Sequence, residues 1–225
     1  MSNLPSYIGF ILVLTVFITI IIFYVAANKS KTTISVLSAW LLFQAVIGLN
    51  GFYTVTNGMP PRSILLILPP IIYIIILFIS PKGKKYIDGL DIKKLTILHT
   101  VRLPVEMVLY LLFLQKAIPR IMTFEGRNFD VISGITAPVV FYLGFNAMKL
   151  TRLSIICWNI LCLGLLINIV ILAVLSAPFP FQRFAFDQPD IALLYFPYIW
   201  IPCCLVPIVL FSHLVSIRQL LKKKI

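Results

Sequence analysis

A chain of 225 residues in which 60% of the side chains are hydrophobic and 12% are charged is too apolar for a soluble protein. Its mean hydropathy of +1.04 supports the same exclusion. The formal net charge of +12 would suit nucleic acid, but in so apolar a chain it indicates basic loops beside anionic lipid headgroups. We therefore expect one polytopic membrane domain over residues 1–225, with the lipid bilayer rather than nucleic acid as its partner.

Seven mostly apolar stretches follow one another along the chain, and each is long enough for a hydrocarbon core of about 30 Å. They cover residues 7–27, 34–53, 63–79, 93–117, 131–148, 153–175 and 192–217. The leader before the first stretch has no Lys or Arg, and no small-residue cleavage site follows it, so we expect a retained helix. The predicted fold class is all-α, a seven-transmembrane-helix bundle. The lysine-rich stretch 81–94 is expected to be an interfacial loop or a short surface helix.

The basic residues predict the orientation of such a bundle. With seven spans, 13 of the 19 Lys and Arg residues fall on the side of the C-terminus and five on the side of the N-terminus. Because cytoplasmic loops are the basic ones, we expect the N-terminus outside and the C-terminus in the cytoplasm.

The fourth stretch carries an unusual polar stripe. At 100° per residue, its members fall within roughly 80° of one another on a helical wheel. These members are His99, Arg102, Glu106 and Tyr110. A charge at the bilayer centre costs about 2.5–3.5 kcal/mol on insertion scales, so the stripe should face the inside of the bundle and form a ligand-binding site. The alternative is that Arg102 and Glu106 are a neutralising pair with a purely structural role.

Polar residues of other stretches have a similar predicted depth. Asn146, Asn159 and His213 all fall in the cytoplasmic half of their spans, so we add them to the candidate ligand-binding residues. Pro104 leaves the carbonyl of Thr100 without its helical donor, which predicts a kink beside Arg102.

Two further features are open to more than one interpretation. The two histidines, His99 and His213, would permit a bis-histidine haem or part of a metal site, but no third ligand is in reach and we expect no metal and no cofactor. Glu125, Arg127 and Asp130 form a candidate outer gate. The alternative is a turn in which Asn128 or Asp130 caps the fifth span.

The last third of the chain resembles a known group. The segments WNILCLG (158–164) and PIVLFSH (207–213) are similar to segments of uncharacterised bacterial seven-span membrane proteins. The resemblance implies a bacterial inner membrane and carries no activity with it. A rhodopsin-type pigment is excluded, because residues 192–217 contain no lysine for a Schiff base.

Three hypotheses for function follow from the stripe. The first is a protein that binds or transports a small polar or anionic solute, or a lipid headgroup, at Arg102. The second is an intramembrane enzyme in which Glu106 or His99 is the general base and Arg102 binds an anionic group. The third is a structural or assembly subunit whose stripe pairs with another chain in an oligomer.

Overall fold

The computed structural model describes residues 4–222, and over this range the chain is helical, with no β-strand. Eight helices follow in order, joined by turns and short 3₁₀ segments. They are α1 (Ser6–Ala26), α2 (Lys31–Leu49), α3 (Ile64–Ile79), α4 (Pro81–Asp88), α5 (Ile92–Leu114), α6 (Val131–Asn146), α7 (Arg152–Ser176) and α8 (Ile201–Lys222). The last three residues of the basic tail, which contributed to the predicted orientation, lie outside the described residues.

Five of these helices, α1, α2, α5, α7 and α8, are long and apolar enough to cross a membrane. The helix α3 continues into α4 through a bend of 92°, so that α4 runs across the end of α3. The helix α6 is apolar but shorter than the other five. An all-helical protein with membrane-type helices is thus confirmed, and a helix lies at each of the seven predicted stretches.

Side-chain caps explain where several helices begin. Ser30, Ser80, Asp91 and Thr151 each accept a hydrogen bond from a backbone N–H two or three residues further on, at the starts of α2, α4, α5 and α7. Such a cap satisfies one of the donors that the first turn leaves free. The prediction that a side chain caps α6 was wrong for Asp130, which makes no cap hydrogen bond because its carboxylate is bound elsewhere.

The helices α5 and α8 form the centre of the bundle. The helix α5 packs against α1, α6 and α8, and α8 also packs against α7 and α3. The contribution of α1 is a single face, on which Ile8, Leu12, Val16 and Ile20 recur every four residues and are buried. Polar side chains on the inner faces of α5 and α8 are therefore enclosed by apolar neighbours.

Three helices depart from α geometry, in each case near a proline. In α5 a 3₁₀ turn covers His99–Val101, shortly before Pro104, where the sequence predicted a kink. The helix α6 ends in a π-type turn after Pro138, and α8 begins with one that contains Pro202. A proline removes a backbone donor from its helix, and π-type turns are frequent at functional sites.

The predicted seventh span begins too early. Residues 192–200 are apolar, but they form a 3₁₀ turn and irregular structure, and the helix starts only at Ile201. Prolines 197 and 202 disfavour an earlier start. The irregular segment instead folds over the end of α5, where the N–H groups of Ile191 and Ala192 donate to the carbonyl of Ala117 at 3.2 and 3.0 Å.

Candidate functional site

The polar stripe of α5 faces the interior, as its periodicity predicted. His99 is 0% exposed, Arg102 and Glu106 are 3% exposed each, and Tyr110 is half-buried. With their partners from other elements these side chains form what we call the polar cluster. Its members are His99, Arg102, Glu106, Asn128, Asp130, Asn159 and His213.

Arg102 joins four elements of the bundle. Its Nη1 donates to Oδ1 of Asp130 at 2.5 Å and to the carbonyl oxygen of Cys162 at 3.3 Å. Its Nη2 lies 3.2 Å from Nε2 of His213. The arginine on α5 is thus held by the start of α6, by α7 and by α8. Its ion-pair partner is Asp130, so the alternative interpretation, in which Arg102 and Glu106 neutralise each other as a pair, is not what the structure shows.

The hydrogen bonds of His213 assign its tautomer. Asn159 Nδ2 donates to the carbonyl of Ile155 at 2.9 Å, so Asn159 Oδ1 is left to accept from Nδ1 of His213 at 2.8 Å. With its hydrogen on Nδ1, the neutral ring presents the Nε2 lone pair to the guanidinium of Arg102. If Nε2 also carried a hydrogen, two hydrogen-bond donors would face each other, because the guanidinium nitrogen is itself a donor.

Glu106 binds an amide rather than a cation. Asn128 Nδ2 lies 2.8 Å from Oε1 and 2.7 Å from Oε2 of this carboxyl, and 3.0 Å from the carbonyl of Met122. The other end of the amide, Asn128 Oδ1, accepts from the backbone N–H of Asp130 at 3.0 Å. Asn128 therefore connects the carboxyl of Glu106 to the backbone of Asp130.

Three members of the stripe have a partner in one non-helical segment, residues 125–130, which runs back along α5. Tyr110 donates to Glu125 at 3.0 Å, Glu106 binds Asn128, and Arg102 binds Asp130. Since Tyr110, Glu106 and Arg102 follow each other at intervals of four, each pair lies about 6 Å deeper than the one before. The chain thus reaches the level of Arg102 before α6 begins.

The path of the 125–130 segment places the three residues of the predicted outer gate at different depths. Asp130 belongs to the interior cluster, which corrects its placement at the outer surface. Glu125 stays near the surface, where it also approaches Arg120 at 3.9 Å. Arg127 has an exposed side chain and contributes only its carbonyl, which accepts from Asn168 at 2.8 Å.

His99 is the least satisfied member of the cluster. Its ring stacks on that of His213 with the centroids 3.8 Å apart and the planes 12° apart, and its edge contact with Trp158 is 5.6 Å between centroids. Within the described part of the chain, neither of its ring nitrogens has a hydrogen-bond partner. A buried imidazole with both nitrogens free can bind a proton, a water or a ligand group if one enters.

Asn146 does not join the cluster. It is exposed in the π-type turn at the end of α6, and 16 residues of helix separate it from Asp130, about 24 Å of rise. Asn146 was included because it is polar and has a predicted depth similar to that of the other site residues. Depth does not determine the direction in which a side chain near the end of a helix points.

Metal ligation finds little support in this geometry. Residues 4–222 contain no group of three or more His, Cys, Asp or Glu side chains that could hold a metal ion. Both ring nitrogens of His213 are engaged, and the face-to-face stacking of the two imidazoles leaves no gap between them for a haem.

The comparisons with known proteins give a family. The family model described as "Domain of unknown function (DUF8737)" matches residues 59–221, which is 163 of the 225 residues. No curated protein and no solved structure matches the chain. The matched part begins after α1 and α2, and it contains α3 to α7, nearly all of α8 and every member of the polar cluster. The chain therefore belongs to the DUF8737 family.

Proposed function

We propose that this protein is a bacterial inner-membrane protein that binds or transports a small anionic solute at Arg102. The observation that carries the proposal is the pairing of this interior guanidinium with Asp130, a carboxylate from a non-helical segment. Non-helical backbone at membrane depth is tolerated only where it is buried in protein or lines a cavity. In transporters, such breaks commonly lie at the binding site.

The proposed membrane arrangement has seven spans, with the N-terminus outside and the C-terminus in the cytoplasm. The 16 residues of α6 rise only about 24 Å, less than a hydrocarbon core of about 30 Å. The 125–130 segment adds the missing length, because it continues along α5 above the start of α6. Reporter fusions before Leu4 and after Ile225 test this arrangement, and both ends on one side would contradict it.

In the proposed site, the carboxylate of Asp130 occupies the place of the solute. A solute carboxylate or phosphate would replace it on Nη1 of the guanidinium, since arginine binds both groups well. Release of Asp130 would then remove one of the side-chain contacts that hold the non-helical 125–130 segment against α5. The π-type turns of α6 and α8 supply further points of movement.

Charge balance indicates that a proton accompanies the anion. Glu106 has no cation among its hydrogen-bond partners, and a buried carboxyl without one avoids ionisation. With Glu106 neutral, Arg102 and Asp130 cancel. A displaced Asp130 would leave the cluster with one negative charge too many unless it takes a proton. We therefore expect anion binding to weaken as the pH rises.

Chemical rescue of Asp130→Ala tests the proposal. The variant leaves a buried guanidinium unpaired and should be strongly destabilised. Acetate or phosphate, but not chloride at equal ionic strength, should restore the thermal unfolding midpoint of the detergent-solubilised variant by filling the vacated position. Asp88→Ala is the matched control, because this surface carboxylate also pairs with an arginine and no enclosed position is vacated. Equal effects of all anions on Asp130→Ala would contradict an anion site at Arg102.

If Asp130→Ala does not fold, Asp130→Asn replaces it. The amide keeps the size of the side chain and removes the charge that competes with the solute. Acetate or phosphate should stabilise this variant more than the wild type, and no difference between the two would again contradict the proposal.

An enzyme is the second candidate, and the free nitrogens of His99 favour it. Both oxygens of Glu106 already contact Asn128, so His99 is the better general base of the two. His99→Gln separates the functions only when turnover is measured as well. Anion rescue in the Asp130→Ala background should persist in both cases, because Arg102 binds the anion in both, whereas only an enzyme should lose activity. The stripe offers little to an assembly partner, because Arg102 and Glu106 face the interior.

A further inference from the structure

A cavity of about 300 Å³ lies apart from the polar cluster, between α2 and α3. Its floor is formed by α1 and α8, which contribute the buried side chains of Phe23 and Phe211. Trp40 of α2 and Pro70 of α3 line its walls, and the exposed side chain of Val36 lies at its rim. The cavity therefore opens sideways, on the face that lipid chains would cover.

The interior of this cavity requires no hydrogen bond from an occupant. The indole N–H of Trp40 donates to the carbonyl of Cys203 at 2.8 Å. At the other end, the hydroxyls of Thr33 and Tyr86 lie 3.0 Å apart and share a hydrogen bond. Apolar cavities stay dry and take apolar occupants, so a hydrocarbon chain is the occupant that the walls favour.

A cluster of lysines lies at the end of the cavity marked by Thr33 and Tyr86. Lys31 is the first residue of α2, two positions before Thr33, and it is exposed. Lys82 precedes Tyr86 by four residues on α4, which places both on the same face of that helix. Lys84 and Lys85 add two exposed charges to α4.

Within residues 4–222, no free carboxylate offsets these lysines nearby. Asp88 of α4 is bound by Arg218 and Lys222, and Asp91 is bound by Lys94. The bend of 92° turns α4 across the end of α3, as expected for a helix in the membrane interface. The apolar cavity thus ends beside a cluster of lysines that attracts anions.

We infer that the cavity between α2 and α3 binds one acyl chain of an anionic phospholipid, with the phosphate at Lys31 and Lys82. The site shares no residue with the polar cluster, so the inference does not depend on the function proposed above. Apolar contacts retain the chain, while the lysines select the anionic headgroup over a zwitterionic one.

Quenching of Trp40 fluorescence tests this inference directly. The probes are phosphatidylglycerol and phosphatidylcholine with brominated acyl chains, added to the full-length protein in detergent micelles. The signal of Trp40 is the difference between the wild type and Trp40→Phe, since Trp158 and Trp200 remain in both. We expect saturable quenching at several-fold lower mole fractions of phosphatidylglycerol than of phosphatidylcholine. Equal quenching by the two lipids would overturn the headgroup assignment.

Matched variants separate the chain site from the headgroup site. Lys31→Ala and Lys82→Ala should each reduce the preference for phosphatidylglycerol by about fivefold, whereas Lys149→Ala, an exposed lysine outside the cavity, should not. Val36→Phe should weaken quenching by both lipids because it narrows the rim. Val46→Phe changes an exposed position of α2 that does not line the cavity and should have no effect. Quenching that Val36→Phe leaves unchanged would overturn the chain site.

Discussion

Two Arg–Asp pairs within residues 4–222 join distant parts of the chain, and their environments differ. Arg102 and Asp130 have side chains 3% and 7% exposed, and the guanidinium is also bound by groups of α7 and α8. Arg218 and Asp88 are 21% and 35% exposed, and Lys222 shares the carboxylate. The same chemistry should therefore be decisive in the interior and minor at the surface, because water compensates only the second pair when it is broken.

Removal of one interior partner should have the largest effect. Arg102→Leu leaves Asp130 buried without its cation and should cost about 3–5 kcal/mol of unfolding free energy. Arg102→Leu with Asp130→Leu should recover most of that loss, since no uncompensated charge remains. Thermal or denaturant unfolding of the two variants in detergent measures the difference.

The control for this experiment uses the other carboxyl of the cluster. Arg102→Leu with Glu106→Leu should stay as unstable as the single variant, because Asp130 is still unpaired. Recovery in this second double variant instead of the first would mean that Glu106 is the true partner of the arginine.

Asp190 is a third case beside the two Arg–Asp pairs, because its carboxyl is buried and no cation among the described residues pairs with it. It is 2% exposed, residues 4–222 provide no ion pair for it, and its burial raises its pKa to about 7. The folded protein then binds this proton more tightly than the unfolded chain, whose carboxyl has a pKa near 3.9. Stability from this group is thus present at about pH 4 and is lost as the pH rises to about 7.

The effect of Asp190 on stability has an upper bound of about 4 kcal/mol between these pH values. Asp190→Asn should flatten the fall of the unfolding midpoint between about pH 4 and pH 7. The neighbouring Asp187 is exposed, and Asp187→Asn should leave the slope as it is. A wild-type midpoint that rises over this range would contradict the assignment.

The amide in the cluster should have an intermediate effect. Asn128→Ala removes the donor from Glu106 and the acceptor from the N–H of Asp130, and an unsatisfied buried polar group costs about 1–3 kcal/mol. Adding Glu106→Leu to this variant should recover part of the loss in the same unfolding assay. A double variant less stable than either single one would show that Glu106 has a partner besides Asn128.

The interior polar cluster could be predicted only in part from the sequence. The stripe on α5 was predicted correctly because helical periodicity is a local property, and four polar residues on one face of an apolar helix require an enclosed environment. Asn159 and His213 were found from their expected depth, which counts residues along each helix. A count of residues gives the depth of a side chain along its helix but not the direction in which the side chain points. For this reason Asn146 was wrongly included among the site residues.

The partners of the stripe were missed because they depend on how deep a polar segment enters the bundle. Asp130 and Asn128 follow a charged stretch that hydropathy places outside the membrane. Their descent along α5 comes from side-chain pairing across 28 and 22 residues of sequence. The sequence did contain one indication of these partners. Arg102 and Glu106 lie on either side of Pro104, and a kink between them disfavours their direct pairing. Each of the two charges could therefore have been expected to bind a residue elsewhere in the chain.

The smallest effect should come from the exposed pair. Asp88→Asn removes the carboxylate that ties α4 to the end of α8, where Arg218 Nε lies 3.1 Å and Lys222 Nζ lies 2.5 Å from it. Exposed ion pairs contribute about 0.2–1 kcal/mol, and about 1 M salt shortens the screening length to about 3 Å. The variant should therefore differ slightly from the wild type at low salt and not at all at high salt. The cost of Arg102→Leu should persist at both, because salt does not reach the interior pair. An Asp88→Asn loss as large and as salt-independent as that of Arg102→Leu would remove the distinction between the two pairs.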